Sequence, residues 1–282
     1  MRLFILPVST RRTLLYAQRL NGTTDGTAKP QGSVVDKTTA WAAKKWVQWE
    51  EKESGWQRKV VDYGNYAFRR IPYQEWGLKS VPRRDDQRDV SNKVELVFPG
   101  RLLGADQAPV VALKLATERL GLHRQKMIWC LVGMPITAPF ALIPIIPNLP
   151  FFYLVYRAWS HWRAIAGGRH LQWLVENKLI LPSPSATLDK LYGKDAPLLK
   201  PDSSMGPERM LLTQKQVHSF SKTLNVPELE IELERAVWQV ERELKADRSS
   251  ESSAETGQEG QRTKAQEPAK GTEALASEEE RK

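Results

Sequence analysis

The sequence has almost none of the residues and motifs from which catalytic or metal sites are commonly built. It contains one cysteine, Cys130, so neither a disulfide framework nor a thiolate metal cluster can form within the chain. It holds no GxGxxG, Walker A, GxSxG or HExxH motif. The four histidines, at positions 123, 161, 170 and 218, are widely spaced. We therefore predict that the chain is not an enzyme and has no cofactor and no metal.

Charge is also missing from one long stretch. Between Met127 and Tyr156 there is no Asp, Glu, Lys, Arg or His, although 27% of the whole chain is charged. An uncharged apolar run of about 18 residues or more is typical of a membrane span. Prolines interrupt this run, and a proline cluster cannot lie in the middle of a helix. We therefore predict a membrane hairpin over residues 127–166, whose turn contains Pro144, Pro147, Asn148 and Pro150.

Basic residues lie on both sides of the uncharged run. Positive charge is retained on the side from which a segment inserts, so both ends of the hairpin are expected on one side of the membrane. The second arm is short before Arg157, which leaves a re-entrant hairpin in one leaflet open. A proline-rich core segment of a soluble domain is the other alternative. The flanking residues are His123, Arg124, Lys126, Arg157, His161 and Arg163.

The first part of the chain is basic and lacks acid. No Asp or Glu precedes Asp25, and the segment contains Arg2, Arg11, Arg12 and Arg19. An Arg-rich, acid-poor amphipathic helix is the composition of a mitochondrial targeting segment. An ordinary basic helix of the folded protein would have the same pattern. Residues 1–32 are therefore interpreted as a targeting-like segment followed by a linker.

The remaining segments are mostly predicted to be helical. Residues 33–126 form an amphipathic region with a tryptophan stripe, interrupted by the FRRIPYQEWG block as a turn and by a strand-like piece near 93–103. The C-terminal region, residues 167–245, contains predicted helices at Thr213–Leu224 and Pro227–Lys245. Residues 246–282 are predicted to be disordered. The predicted fold class is mainly α: a membrane-associated helical protein with a proline-broken hydrophobic hairpin, flanking amphipathic helices and a disordered C-terminal tail.

Three blocks of the sequence resemble the fungal mitochondrial potassium–proton exchange-related proteins. They are MRLFILPVSTRRTLLY at the start, FRRIPYQEWGLKSVP at Phe68–Pro82, and PFALIPIIPNLPFFYLVYRAWSHWRAIAGGRHL at Pro139–Leu171. The resemblance implies a location in the mitochondrial inner membrane and a part in potassium–proton exchange. It supplies no transport residues.

The residues themselves favour an accessory role. Exchange of a proton for a cation across a bilayer needs an ionisable group within the hydrocarbon core. The uncharged run contains no carboxylate. An accessory or assembly component is therefore favoured over the sole exchanger, and a lipid-binding membrane scaffold without transport activity is the alternative. Expected partners are membrane lipids, potassium ions and protons, and copies of the chain or other inner-membrane proteins, but not nucleic acid. The histidines that flank the run, His123, His161 and His170, are candidate pH sensors.

Overall fold

A four-stranded sheet organises the first of two compact units, Met1–Val240 and Glu241–Lys282. The computed structural model describes residues 1–18, 44, 47–52, 54–84, 93–139, 149–193 and 208–265. The predicted fold class is wrong, because the structure is a mixed α/β protein. In chain order the elements are β1 (Arg2–Pro7), β2 (Thr13–Gln18), α1 (Trp56–Arg69), α2 (Tyr73–Ser80), β3 (Val94–Phe98), α3 (Gln107–Thr117), α4 (Leu120–Thr137), α5 (Leu149–Glu176), β4 (Ile180–Pro184), α6 (Ala186–Tyr192), α7 (Gln214–Leu224) and α8 (Glu228–Ala265).

The N-terminal segment forms strands β1 and β2 of this sheet instead of the predicted amphipathic helix. The strand order is β2-β1-β3-β4, with β1 antiparallel to β2 and parallel to β3. Successive side chains of a strand point to opposite faces, and Leu3, Phe4, Ile5 and Leu6 are all buried. A strand that is covered on both faces reads as a continuous apolar run, so it lacks the alternation that identifies a half-exposed strand.

Helices α2, α3 and α5 contribute to the hydrophobic core on one side of the sheet. Leu78 of α2, Ala116 of α3 and Leu171 of α5 belong to the same buried cluster as Leu3 and Leu96. Small residues bring these helices close together. A Cβ at Gly167 of α5 would collide with the Leu78 carbonyl oxygen. The close contact between α5 and α2 therefore depends on glycine at this position.

Helices α4 and α5 correspond to the two predicted arms of the hairpin and pack antiparallel. His123 of α4 lies against His161 of α5, whereas Gly133, further along α4, faces Leu154, nearer the start of α5. Among the described residues, no helix combines the length and the apolar character that crossing a bilayer requires. Residues 127–137 of the uncharged run belong to α4 and residues 149–156 to α5, and α4 already contains Arg124 and Lys126 in its first half.

The C-terminal helices begin where local signals predicted them. Thr213 and Gln216 form a capping box at the start of α7, and α8 begins directly after Pro227. The predicted apolar face of α8 is buried at Leu229, Leu233, Ala236, Val237 and Val240. Helix α8 continues to Ala265, where the sequence predicted disorder from residue 246 onward. Residues 266–282 lie outside the described residues.

Candidate functional site

Helix α2 places a carboxylate in the protein interior. The FRRIPYQEWG block was predicted to be a turn, but its first two residues end α1, residues 70–72 connect the two helices, and α2 begins at Tyr73. Glu75 lies in the first turn of this helix, where the helix dipole favours negative charge, and it is 1% exposed. A buried carboxylate is costly unless it is paired and hydrogen-bonded, so its partners identify the site.

Arg157 and Ser160 of α5 are the partners of this carboxylate. Arg157 Nη1 lies 2.7 Å from Glu75 Oε1, and Arg157 Nη2 lies 3.1 Å from Glu75 Oε2. The Ser160 hydroxyl donates to Glu75 Oε1 over 2.5 Å. Both partner side chains are buried. The two-point contact between guanidinium and carboxylate fixes the rotation of α5 relative to α2.

Two histidines extend this arrangement to α4. His161 follows Arg157 by one helical turn, and its Nε2 lies 3.1 Å from Arg157 Nη2. Its other ring nitrogen, Nδ1, lies 3.1 Å from His123 Nδ1. Glu75, Arg157, Ser160, His161 and His123 are called the buried network below. It joins α2, α4 and α5.

The hydrogen-bond geometry implies one arrangement of protons for neutral rings. A guanidinium only donates, so His161 Nε2 accepts from Arg157 and the His161 proton lies on Nδ1. That proton is donated to His123 Nδ1, which leaves the His123 proton on Nε2. His123 Nε2 is buried and has no hydrogen-bond partner among the described residues.

Burial is the largest influence on the pKa of Glu75 and of the two histidines. Burial lowers the pKa of His161 to about 4, with the positive charge of Arg157 acting in the same direction and Glu75 opposing it. Burial also lowers the pKa of His123. Burial raises the pKa of Glu75, but hydrogen bonds from Arg157 and Ser160 outweigh it, so the pKa lies below its ordinary value. At neutral pH the network is one ion pair beside two neutral rings.

Three donor groups of the network are close enough to be compared with a metal site. Glu75, His123 and His161 each offer one atom, and these atoms lie within 4.8 Å of one another. The surroundings of His161 do not fit a metal, because both of its ring nitrogens already lie 3.1 Å from protein partners, Nε2 from Arg157 and Nδ1 from His123. The guanidinium of Arg157 already supplies the positive charge that the carboxylate needs. We therefore assign no metal chemistry to these residues.

The other predicted hairpin residues do not join the network. Arg124 and Lys126 are exposed on α4, and Arg163 is half-buried on α5. Pro150 is exposed in the first turn of α5, and the remaining turn residues, Pro144, Pro147 and Asn148, lie outside the described residues. Nearby His170 places Nδ1 2.8 Å from the Pro82 carbonyl oxygen.

Three of the four arginines predicted for targeting lie in or between the first two strands. Arg2 Nε lies 2.7 Å from Glu95 Oε2, and Arg12 Nε lies 3.2 Å from Glu208 Oε1. Arg11 is exposed between β1 and β2, and Arg19 lies outside the described residues. These contacts give Arg2 and Arg12 a role in the folded protein, and the targeting role remains a prediction.

Sequence reasoning missed Glu75 and Ser160. A signal was present, since Arg157, Ser160 and His161 lie at helical spacing and no acid occurs between Glu118 and Glu176. A buried arginine on that face therefore required a carboxylate from elsewhere in the chain. Only the tertiary fold shows that α2 supplies it.

The fold and site define a mixed α/β protein whose helical hairpin is joined to a neighbouring helix by a buried ion pair. Residues 2–175 match the family described as mitochondrial K+-H+ exchange-related, and the chain belongs to this family. The matched segment contains every member of the buried network. Family membership associates the protein with mitochondria and with K+-H+ exchange, which confirms the resemblance inferred from the sequence.

Two fungal proteins are similar to this chain over most of their length. An uncharacterized protein of Saccharomyces cerevisiae is 24% identical over 274 residues, which cover 83% of this chain and 83% of the relative. An uncharacterized protein of Schizosaccharomyces pombe is 29% identical over 193 residues, which cover 67% of this chain and 82% of the relative. No solved structure matches the chain.

Proposed function

We propose that the protein is an accessory or assembly component of K+-H+ exchange at the mitochondrial inner membrane, and not the exchanger itself. Family membership supplies the exchange process and the mitochondrion. The accessory role and the inner membrane are the parts that we add.

The burial and the ion pairing of Glu75 are the observation that supports the accessory role. A carboxylate that exchanges a proton for a cation has to be reached by both ions in turn. Glu75 is 1% exposed, and both of its oxygens are hydrogen-bonded to Arg157. Its negative charge is therefore already neutralised by a permanent cation of the chain. This supports a structural use of the carboxylate over a transport use.

In this proposal the buried network sets the orientation of the hairpin. Arg157 and His161 extend from α5, Glu75 from α2 and His123 from α4, so a change in any one of them affects three helices. Helix α2 in turn packs closely on β2, because a Cβ at Gly77 would collide with the Leu15 carbonyl oxygen. The α4/α5 hairpin is thereby presented to other components in a fixed position relative to the sheet.

A lipid-binding scaffold without transport activity is the second candidate. The observation that favours it is the set of large apolar side chains exposed on α4 and α5, such as Ile136 at 69% and Trp129 at 67%. A scaffold would change membrane organisation first, and altered ion exchange would follow as a consequence.

The proposal is tested in fungal mitochondria that lack the protein. Potassium-acetate swelling, which reports K+-H+ exchange, should fall without the chain and recover with wild type. Glu75→Gln should restore it poorly at equal protein abundance, because the network is broken. The matched control Glu95→Gln, at a half-exposed ion pair with Arg2, should restore it fully.

Two outcomes would count against the proposal. If swelling is unchanged in mitochondria that lack the protein, the protein has no part in K+-H+ exchange. Altered inner-membrane shape with normal swelling would favour the scaffold.

A further inference from the structure

The hairpin carries a large apolar surface at the end remote from the network's histidines. Its members are exposed in the structure and include aliphatic and aromatic side chains from both helices. We call this surface the hairpin end, and it consists of Ile128, Trp129, Leu131, Val132 and Ile136 of α4 with Phe152, Tyr153 and Val155 of α5. Contiguous exposed apolar surface of this kind marks an interaction site in a soluble environment. We propose that the hairpin end docks into one leaflet of a bilayer that contains anionic lipids.

The distribution of the exposed residues favours lipid over a protein partner. At about 100° per residue, Trp129 and Leu131 lie about 160° apart around α4, and Ile128 and Val132 lie between them. Phe152 and Val155 continue the surface onto α5. A partner protein would cover one flat face of the hairpin. Lipid chains contact an inserted surface on all of its exposed sides.

The charge of the surrounding surface points to an anionic membrane. The sequence has no Asp or Glu between Glu118 and Glu176, so the hairpin carries no acid before the last residue of α5. Arg124 and Lys126 are exposed on α4, directly before the first members of the hairpin end. Basic side chains at this position are attracted to the negative surface of a membrane. They would contact lipid headgroups when the apolar end is inserted.

The dimensions match one leaflet and not a crossing. From Lys126 to Ile136 the helix rises about 15 Å, which is half of a hydrocarbon core of about 30 Å. Trp129 lies one turn beyond Lys126, the level at which an indole is favoured between headgroups and hydrocarbon. Interfacial docking is therefore compatible with the finding that no helix of the described residues is suited to crossing a bilayer.

The inference rests on the proposed function only for its choice of membrane. The interaction with lipid is a property of the purified chain and does not require exchange activity. If vesicle binding fails while mitochondria without the protein still lose exchange, the docking inference falls and the accessory role stands.

Vesicle flotation of the full-length chain tests the inference. Wild type should float with phosphatidylcholine vesicles that contain phosphatidylglycerol, and less with phosphatidylcholine alone. Ile136→Glu and Trp129→Glu should each weaken binding by about tenfold or more, since an acid would enter hydrocarbon. The matched control is Val110→Glu, because Val110 is 65% exposed on α3 and lies outside the hairpin; it should bind as wild type. Circular dichroism spectra confirm that each variant is folded.

A double variant tests the contribution of the two basic residues that precede the hairpin end. Arg124→Gln combined with Lys126→Gln should reduce binding to the phosphatidylglycerol vesicles toward the level seen with phosphatidylcholine alone. Wild type that does not float with either vesicle would overturn the proposal, as would Ile136→Glu binding like Val110→Glu. If Ile136→Glu instead converts a dimer to a monomer in light scattering and leaves flotation unchanged, the hairpin end is an interface between two copies of the chain.

Discussion

Glu75 and Arg157 stand 82 positions apart in the sequence, and their side chains form a two-point ion pair in the protein interior. Glu75 belongs to the short helix that packs on the sheet, and Arg157 belongs to the long helix of the hairpin. Neither charge would be tolerated at its depth without the other. The ion pair therefore forms only when the hairpin is in its native position, so the hairpin folds together with the rest of the unit.

Removal of the negative charge of Glu75 should destabilise the protein strongly. Glu75→Gln leaves the buried Arg157 guanidinium without a counter-charge, and we expect a loss of about 3–5 kcal/mol in the free energy of unfolding. Urea unfolding followed by circular dichroism measures this loss. Glu95→Gln breaks a half-exposed ion pair and should lose less than about 1 kcal/mol. Equal losses in the two variants would show that the ion pair has no special role.

The two histidines of the network should make stability depend on pH. Their pKa values in the folded protein lie below the ordinary value of 6.5, so the unfolded chain binds more protons as the pH falls through 6.5. The folded state should therefore lose stability between pH 7 and pH 5. The charges that face these rings are Glu75 from α2, Arg119 directly before α4, Lys126 from α4, and Arg157 from α5.

Unfolding curves at several pH values check this dependence. His161→Leu should flatten the change in unfolding free energy between pH 7 and pH 5, since one of the two proton-binding differences is removed. His218→Gln is the control, because that side chain is 72% exposed on α7. A slope that stays the same in His161→Leu would contradict the assignment.

Close packing between α5 and α2 should make one glycine essential. Gly167→Ala would drive a methyl group into the Leu78 carbonyl oxygen, and we expect a loss of about 1–3 kcal/mol in the free energy of unfolding. Gly121→Ala is the matched control, because no atom lies within 4 Å of the added carbon. In helix α4 this second change should stabilise the protein by about 0.5–1 kcal/mol. Thermal melts of both variants measure these changes in stability. A loss of stability confined to Gly121→Ala would contradict the described packing.

The N-terminal strands should be required for folding, whatever their part in targeting. A chain that begins at residue 19 would lack β1 and β2, and β1 lies between two other strands of the sheet. We expect such a chain to have no cooperative thermal transition. Circular dichroism during heating provides the measurement. A truncated chain that melts at the temperature of the full chain would show that the first two strands are dispensable.

Local sequence signals were sufficient for some elements. The sequence predicted helices that begin at Thr213 and Pro227, and in the structure α7 begins at Gln214, after a capping box at Thr213, and α8 begins at Glu228. Strand β3 was likewise indicated by its own short apolar segment. In each of these cases the information needed lies within the element or directly before it.

The sheet and the site needed information from distant residues. The run Leu3–Leu6 is apolar at every position, and periodicity alone does not distinguish a buried strand from a helix. Arg157, His161 and His123 were assigned to a membrane flank because their positive charge was counted without the acid that faces them. Glu75 comes from a helix that the sequence predicted as a turn, so the ion pair was not foreseen.

Reconstitution of the purified chain into liposomes tests the central claim most directly. Vesicles with a potassium gradient and an internal pH-sensitive dye report K+-dependent proton flux, and a potassium–proton ionophore shows that they are sealed. The accessory role predicts no flux from the chain alone, and flux when extract from mitochondria that lack the chain is added together with it but not when that extract is added by itself. K+-dependent proton flux from the purified chain without any extract would contradict the claim and identify the chain as the exchanger.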